Sequence, residues 1–319
     1  MTKMYDGILG LAIGDALGVP VEFLDRIYLK NHKVFDMLGY GSHNVPKGTW
    51  SDDTSLTIAT LDSINKMKTV DYNDIMQKFC EWYCCSKYTA TGVLFDIGIS
   101  TRKAIEKYMK GISALDCGCK EEFENGNGSL MRIFPIVCYC LDKNLDEEIS
   151  TQIINNVSML THAHNISKLA CRIYYDVVKN LMFYNDTVQA IKSIKKETYL
   201  KYYDLNSVNE FNRIFSNEIL FCNEQDIRSS GYVVDSLEAS LWCLFKTKNY
   251  KDAVLLAVNL GNDTDTTAAI TGSLAGILYG KNNIPQQWVK SLINVEYLKE
   301  LSEAYSKELN SKNKGGKKI

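Results

Sequence analysis

The chain has 319 residues, of which 45% are hydrophobic and 23% are charged, and its formal net charge is −2. This composition is that of a globular protein with a sizeable core, and the near-neutral charge gives no electrostatic case for binding nucleic acid or a membrane surface. The N-terminus lacks the layout of a signal peptide and no apolar run reaches bilayer-spanning length, so neither export nor membrane insertion is expected.

The first predicted element is a helix over residues 5–18, although this stretch contains four glycines. They recur at three or four residues and fall on roughly one face: Gly7, Gly10, Gly14 and Gly18. Each glycine costs up to about 1 kcal/mol of helix propensity, so close helix packing or the approach of a ligand should compensate. Asp15 lies within this apolar run and should therefore be paired, with an indirect role at a metal site as one reason for its presence.

A loop with Glu22 follows, and this acid is either solvated or placed at the rim of a cleft. Residues 25–48 form an irregular stretch that leads to a segment with two acids among hydroxyls, Gly48-Thr49-Trp50-Ser51-Asp52-Asp53-Thr54. Helical patterns then cover residues 51–67, 72–88 and about 92–110. Asp96, within the last pattern, is either an exposed polar-face residue or an acid that points into a site.

Residues 125–132 are the most turn-like part of the chain, and their glycines let backbone N–H groups approach a ligand. Two interpretations stay open: a plain loop before a helix that starts or breaks at Pro135, or a phosphate-binding loop without the lysine of a Walker motif. His162 and His164 are two residues apart, which does not place both on one helix face. A capping or core role is the default for them, with one facing a ligand as the alternative.

Residues 180–230 have the weakest secondary-structure pattern, and we predict helices there over residues 188–195 and 208–219. An apolar helix over residues 237–245 and another over 250–259 follow. The chain then reaches a second acid cluster, Asn259-Leu260-Gly261-Asn262-Asp263-Thr264-Asp265-Thr266-Thr267, which runs into a buried helix up to Tyr279. Residues 306–319 are lysine-rich and predict a disordered basic tail after a domain over residues 1–305.

The two acid clusters have the same chemistry: paired carboxylates interleaved with hydroxyls at the start of an apolar helix. N-capping explains one such residue per helix. It does not explain four acids, which would repel each other without a cation. Oxygen ligands of this kind suit Mg²⁺ or Mn²⁺, and one turn rarely completes a six-ligand shell. We therefore expect both segments to share one cation site.

Strand signals are almost absent, since there is little period-two alternation and no hairpin dipeptide between alternating runs. The sequence predicts an all-α, single-domain protein, which we expect to be a monomer. Its ten cysteines mostly lie within helical patterns among apolar neighbours, and no pair of CxxC motifs occurs. A reduced, cytoplasmic protein without a zinc site is therefore expected.

Several of these segments together resemble the ADP-ribosylglycohydrolases, and within them the bacterial dinitrogenase-reductase-activating branch. The matching segments occur in the expected order and span almost the whole chain: residues 10–23, 48–56, 127–132, 161–164, 230–239 and 259–267. The resemblance implies a compact orthogonal helical bundle with two Mg²⁺ or Mn²⁺ ions. It implies metal ligation by Ser51, Asp52, Asp53, Asp263, Asp265 and Thr266.

The resemblance also implies the remaining site residues. Glu22 matches a glutamate beside the ribose pocket, and Asp96 matches an acid of the bacterial branch that takes part in catalysis. Ile99 stands where that branch commonly has asparagine, so one polar contact is absent. The matched binding positions are a phosphate loop (Gly126, Asn127, Gly128, Ser129), an adenosine side with Tyr232 stacked on adenine (Ser230, Gly231, Tyr232) and a leaving-group side (His162 or His164).

These assignments predict a hydrolase that removes ADP-ribose from a modified acceptor, with protein arginine as the first choice and serine, a nucleic-acid end or a small molecule as alternatives. An acid outside the ligand set, Asp96 first and Glu22 second, would handle the proton. Two rivals are weighed. A haloacid-dehalogenase-type phosphatase fits the DxDxT pattern at Asp263 but requires an α/β core. A non-catalytic ADP-ribose-binding relative would not need all six ligands.

Overall fold

The structure is a computed structural model that describes residues 3–315. Within that part of the chain there are 17 α-helices joined by loops and short 3₁₀ turns, and there is no β-strand beyond isolated bridges. The all-α prediction is confirmed, and the phosphatase alternative fails because its motif must follow a strand. The helices are α1 (Met4–Gly18), α2 (Arg26–Asn31), α3 (Asp52–Met67), α4 (Tyr72–Cys85), α5 (Ile99–Met109), α6 (Phe134–Asp142), α7 (Glu147–Met159), α8 (Asn165–Tyr184), α9 (Thr187–Lys192), α10 (Lys196–Tyr199), α11 (Leu205–Asn209), α12 (Asn212–Phe215), α13 (Val233–Lys246), α14 (Tyr250–Val258), α15 (Thr264–Tyr279), α16 (Gln286–Ser291) and α17 (Val295–Gly315).

The centre of the bundle is the pair α1 and α15, which pack against each other more extensively than any other two described helices. The glycines of α1 make this approach possible. A Cβ atom on Gly10 would lie 2.2 Å from the carbonyl oxygen of Gly272, and one on Gly14 would lie 2.0 Å from that of Ala268. No side chain fits between backbones this close. The predicted compensation for the glycines is therefore helix packing.

The same pairing brings the end of α1 to the beginning of α15. A Cβ atom on Gly18 would lie 2.3 Å from both N and Cα of Asp265, and the hydroxyl of Thr264 donates to the carbonyl of Gly18 at 2.9 Å. Helix α3 also packs on α1, and α17 packs on both of them, while α13 and α14 cover α15. The starts of α3 and α15 consequently meet near the end of α1.

The segment Met4–Val21 has the length and mean hydropathy, 1.3, of a membrane-spanning helix, so the expectation that no apolar run is long enough was wrong. In the structure, 89% of this segment is buried inside the protein. Its apolar character follows from its central position, because a helix surrounded by other helices has no polar face.

Several predicted boundaries differ from the structure. The pattern over residues 72–88 ends at Cys85, because Ser86 adopts the left-handed conformation. The pattern over residues 92–110 becomes helical only at Ile99, since Asp96 is left-handed and Gly98 caps the helix.

The helix drawn over residues 208–219 is in fact the end of α11, the short α12 and a 3₁₀ turn. The stretch 25–48, predicted to be irregular, contains α2. Helix α17 continues to Gly315, so the start of the predicted tail at residue 306 lies within a helix, while residues 316–319 lie outside the described residues.

Candidate active site

The two acid-rich helix starts meet at one place, as the sequence predicts. Carboxylate oxygens of Asp53 on α3, Asp265 on α15 and Asp15 on α1 lie within 4.8 Å of one another. A second group by the same measure joins Asp265 to Asp263 and Glu22. Segments more than 200 residues apart in the sequence thus form one cluster of buried acids.

Asp15 organises the start of α3. Its carboxylate accepts hydrogen bonds from the backbone N–H of Ser51 at 2.9 Å, the backbone N–H of Thr54 at 3.0 Å and the hydroxyl of Thr54 at 2.6 Å. Ser51 is the N-cap, and its hydroxyl oxygen accepts from the backbone N–H of Asp53 at 3.3 Å. Asp15 is therefore paired, as expected, and it fixes the turn that presents Asp52 and Asp53.

Local contacts also fix the start of α15. The backbone N–H of Asp263 donates to the carbonyl of Ser229 at 3.0 Å, and the carboxylate of Asp263 accepts from the side-chain amide of Asn127 at 2.6 Å. One carboxylate oxygen of Asp265 accepts from the backbone N–H of Thr266 at 2.9 Å. A helix N-terminus favours negative charge, so this position suits acids.

Burial disfavours the charged form of these acids. It raises the pKa of Asp15 to about 6 and that of Glu22 to about 7, although hydrogen bonds from Thr54 and His43 oppose the shifts. The pKa of Asp53 also rises, through burial and then through repulsion from Asp15. Burial and the nearby Glu22 do the same for Asp265. Without compensating positive charge, burial and mutual repulsion thus favour the protonated forms of these acids.

The residues present fit a hard divalent cation. Oxygen Oδ1 of Asp53 is buried and has no hydrogen-bond partner among the described residues. Its neighbours offer carboxylate and hydroxyl oxygens without a thiol, which is the donor set of Mg²⁺ and Mn²⁺. The six predicted ligands share this environment and are all buried or half-buried: Ser51, Asp52, Asp53, Asp263, Asp265 and Thr266.

A cleft of about 590 Å³ opens onto this acid cluster, with Asp52, Asp263 and Thr266 on its wall. Two paired loops next to Asp263 also line the cleft, through Gly126, Asn127, Gly128 and Gly231. The backbone N–H of Asn127 donates to the carbonyl of Gly231, and that of Val233 donates to the carbonyl of Asn125, both at 3.0 Å.

Glu22 and Asp96 both line the cleft, which places each of these acids at the site. Asp96 has a φ of 50°, a left-handed conformation uncommon outside glycine, asparagine and aspartate. It shares a hydrogen bond with Asp52, and burial raises the pKa of Asp96. The alternatives of a solvated loop acid for Glu22 and an exposed helix-face acid for Asp96 are therefore wrong.

Sequence reasoning missed His43. Its Nε2 pairs with a carboxylate oxygen of Glu22, and the neighbouring Ser42 hydroxyl donates to the backbone carbonyl of Glu22 at 2.6 Å. The His43 ring lies between Phe23 and Phe95, at centroid distances of 5.7 and 5.2 Å. The hydrogen bond to Glu22 raises the pKa of His43. His43 lies in the stretch predicted to be irregular, where no motif marks it.

The predicted binding residues divide into two groups. Five of them line the cleft: Gly126, Asn127, Gly128, His162 and Gly231. Tyr232 lines an adjoining cavity of about 460 Å³, which shares Gly126 and Gly231 with the cleft. The Tyr232 hydroxyl donates to Glu210 at 3.0 Å.

The other three predicted binding residues point their side chains elsewhere. Ser129 is fully buried, with its hydroxyl 3.0 Å from that of Ser158. His164 caps α8 through Nδ1, and the Ser230 hydroxyl donates to Asp235 at 2.6 Å. His164 therefore has the capping role that was its default, while His162 is the histidine that lines the cleft.

The chain is similar to known proteins over most of its length. A family profile described as ADP-ribosylglycohydrolase matches residues 1–315. An ADP-ribosylarginine hydrolase Tri1 from Serratia proteamaculans is 33% identical over 303 residues, which are 95% of this chain and 78% of that protein. An ADP-ribosyl-[dinitrogen reductase] glycohydrolase from Rhodospirillum rubrum is 29% identical, covering 91% of this chain and 90% of that protein.

A solved structure has the same fold. It is described as an ADP-ribosylglycohydrolase-related protein complex, and its TM-score against this chain is 0.78 at 27% sequence identity. The match covers 94% of this chain and 95% of the other.

Proposed function

The chain belongs to the ADP-ribosylglycohydrolase family, and from that premise we propose that it hydrolyses the N-glycosidic bond between ADP-ribose and an arginine side chain of a modified protein. The structural observation that supports this proposal is that two acid-rich helix starts meet at the cleft. The arginine linkage is supported by the similar protein from Serratia proteamaculans, which is named an ADP-ribosylarginine hydrolase.

In this proposal two Mg²⁺ or Mn²⁺ ions are held by the acid cluster and the two hydroxyls beside it. The ligands are Ser51, Asp52, Asp53, Asp263, Asp265 and Thr266. When bound, the ions would supply Lewis-acid charge that offsets the repulsion among the carboxylates and binds ribose hydroxyls. The orphaned Oδ1 of Asp53 supports this assignment, since a buried carboxylate oxygen without a partner is costly.

The protein's own side chains have separate tasks. Asn127 orients Asp263 through its amide, and the loop with Gly126 and Gly128 offers backbone N–H groups to the pyrophosphate. Lys103 also lines the cleft, where its Nζ pairs with Glu124 at 2.9 Å, so its charge is already offset by an acid of the same cleft. Tyr232, in the adjoining cavity, is the residue proposed to stack on adenine.

Hydrolysis breaks the bond between ribose C1 and a guanidino nitrogen and forms a bond from C1 to a water oxygen. The transition state has oxocarbenium character, as in other glycoside hydrolyses. One proton leaves the water and one must reach the departing nitrogen. Asp96 is the first choice for the group that transfers these protons, and Glu22 is the second, because both line the cleft and neither belongs to the ligand set.

The experiment that tests the proposal is the release of ADP-ribose from a panel of linkage-defined substrates, with ADP-ribosylarginine, ADP-ribosylserine and a modified nucleic-acid end, with and without EDTA. We expect release from the arginine substrate only, and its loss in EDTA with recovery on adding Mg²⁺ or Mn²⁺. Release from a different substrate would show that arginine is the wrong acceptor. ADP-ribose binding without any release would show that the protein is a non-catalytic binder and not an enzyme.

Two substitutions extend the test. Asp52→Ala and Asp263→Ala should abolish release, because each removes a proposed ligand carboxylate that lines the cleft, while the helical circular-dichroism spectrum stays unchanged. Near-normal turnover by either variant would contradict the ligand assignment. Asp71→Asn is the matched control. Asp71 is the half-buried N-cap of α4, and it does not line the cleft; asparagine caps about equally well there, so this variant should match the wild type. The cytoplasmic location and the monomeric state remain predictions.

A further inference from the structure

Three side chains form a chain of hydrogen bonds from the core to the cleft. Arg132 is fully buried, and its Nη2 donates to the hydroxyl oxygen of Thr161 at 2.7 Å and to the carbonyl of Val157 at 3.2 Å. The Thr161 hydroxyl oxygen lies 2.8 Å from Nδ1 of His162. His162 in turn lines the cleft, where Nε2 has no hydrogen-bond partner among the described residues.

The donor inventory of these groups fixes the direction of the chain. A guanidinium has only donors, so the Thr161 oxygen must accept from Arg132. The single hydroxyl proton of Thr161 then needs an acceptor, and among the described residues Nδ1 of His162 is the one within reach. Nδ1 is therefore unprotonated. A neutral imidazole that accepts at Nδ1 carries its proton on Nε2.

The ring is held neutral by its surroundings. Burial, and then the positive charge of Arg132, lower the pKa of His162 to about 3, and Glu124 opposes this shift. Burial also lowers the pKa of Arg132, to about 10, which leaves the guanidinium charged at neutral pH. The Arg132 side chain lies over the ring of Phe79, 4.8 Å from its centroid, which keeps the cation in place.

Nε2 of His162 faces the glycine loop of the cleft. A Cβ atom on Gly126 would lie 3.5 Å from Nε2, and one on Gly128 would lie 2.8 Å from Cε1 of the same ring. His162 is only 3% exposed, and the absence of side chains at these two positions is what lets the edge of its ring reach the lining of the cleft. A ligand oxygen that meets the backbone N–H groups of this loop would thus also meet the Nε2–H group.

We propose that Arg132 and Thr161 are positioning residues that hold His162 in its Nε2–H tautomer, so that a neutral ring donates a hydrogen bond to a pyrophosphate oxygen of ADP-ribose. The inference rests on the proposed function for its ligand and goes beyond it by assigning the tautomer and the two residues that impose it. It places His162 at the pyrophosphate and not at the leaving-group side that the resemblance implies. The other tautomer would turn a lone pair towards the phosphate and repel it.

The tautomer is measured first, on the intact protein without ligand. Nitrogen chemical shifts of the ring distinguish a protonated from an unprotonated nitrogen, and the chain has only four histidines to assign. We expect the proton on Nε2 in the wild type and in Thr161→Ser, which keeps the hydroxyl. In Thr161→Val the donor to Nδ1 is gone, so the Nδ1–H tautomer should become populated. A proton on Nδ1 in the wild type overturns the proposal.

Binding is measured second, by calorimetry with ADP-ribose and with adenosine, which lacks the phosphates. Thr161→Val should weaken ADP-ribose binding roughly tenfold or more, which is the effect of losing a hydrogen bond to a charged group, and leave adenosine binding unchanged. Thr161→Ser should bind ADP-ribose as tightly as the wild type. His162→Gln keeps an amide N–H near the ε position, so it should bind ADP-ribose more tightly than His162→Phe. Equal loss for adenosine and ADP-ribose would indicate a merely structural role and overturn the proposal.

The outcomes separate this inference from the proposed function. If Thr161→Val does not fold, the proposal is still tested by the tautomer of the wild type and by the ADP-ribose affinities of His162→Gln and His162→Phe. ADP-ribose binding with the expected tautomer but without turnover supports the inference and contradicts the hydrolase. No ADP-ribose binding by the folded wild type contradicts both the phosphate contact and the proposed substrate.

Discussion

Replacing Asp15 by asparagine tests whether the buried carboxylate of α1 holds the start of α3 in place. Asp15→Asn keeps the size of the side chain but leaves one acceptor oxygen in place of two. If that oxygen keeps both bonds to Thr54, at 3.0 and 2.6 Å, the backbone N–H of Ser51 loses its acceptor at 2.9 Å. The opposite orientation loses both Thr54 bonds, so the first is preferred.

The expected loss follows from this single orphaned donor. A buried N–H group without a partner costs about 1–3 kcal/mol, and bonds to a charged acceptor are roughly twice as strong as neutral ones. Together these effects give a decrease of about 2–4 kcal/mol in the free energy of unfolding. Removing a negative charge near Asp53 and Asp265 acts in the opposite direction when no cation is present. The decrease should therefore be larger with Mg²⁺ than with EDTA.

The assay is urea unfolding of wild type and Asp15→Asn in EDTA and in excess Mg²⁺, with Mg²⁺ affinity measured separately. Asp71→Asn is the control, because it makes the same change at a half-buried N-cap that does not line the cleft, and it should stay within about 0.5 kcal/mol of wild type. The reasoning is refuted if Asp15→Asn matches this control in both buffers and binds Mg²⁺ as tightly as the wild type does.

Three further predictions concern the contacts around the acid cluster. His43→Ala should lower kcat more than it raises KM because Glu22 loses its partner, and His43→Gln should recover part of the rate; equal rates in all three proteins would contradict the role. Gly14→Ala should destabilise the fold by about 1–3 kcal/mol in urea, since its Cβ would lie 2.0 Å from a backbone oxygen of α15, and a stability at or above wild type would count against that close approach. In EDTA the free energy of unfolding should fall as pH rises from ~5 to ~8, because carboxyls with raised pKa values, about 6 for Asp15 and about 7 for Glu22, keep protons in the native state that the unfolded chain releases. Excess Mg²⁺ should reduce or reverse that decline, and an equal slope in both buffers would mean that the ions do not bind at these acids.

The helices that sequence reasoning located well are those with a strong apolar pattern and clear caps. Helix α3 begins one residue after its Ser51 cap, and α15 begins directly after Asp263, as the acid clusters predict. The spacing of glycines in α1 indicated a close partner but could not identify it. That partner, α15, lies some 250 residues further along the chain, and only the tertiary structure pairs their backbones.

The least predictable parts of the site depend on backbone conformations that leave no periodic signal. Asp96 points into the cleft because its φ is 50°, and nothing in its apolar flanks distinguishes that from a helix face. His43 reaches Glu22 through a short 3₁₀ turn at Gly41–His43 within a stretch of mixed polarity. Ser129 and Ser230 follow the expected motifs, yet their hydroxyls bond within the protein. A motif thus locates a segment, and the fold decides which of its atoms face the ligand.

The most direct test of the central claim is the number of Mn²⁺ ions bound by the metal-free protein, measured by calorimetry on the wild type, Asp53→Asn and Asp265→Asn, with Asp71→Asn as the control. Asp53→Asn and Asp265→Asn each remove one carboxylate of the same cluster, from two different helix starts. The account predicts two ions per chain for the wild type and the control, and the loss of at least one ion from each of the other two. Wild-type binding in both cluster variants, or no binding by the wild type, would contradict a shared cation site.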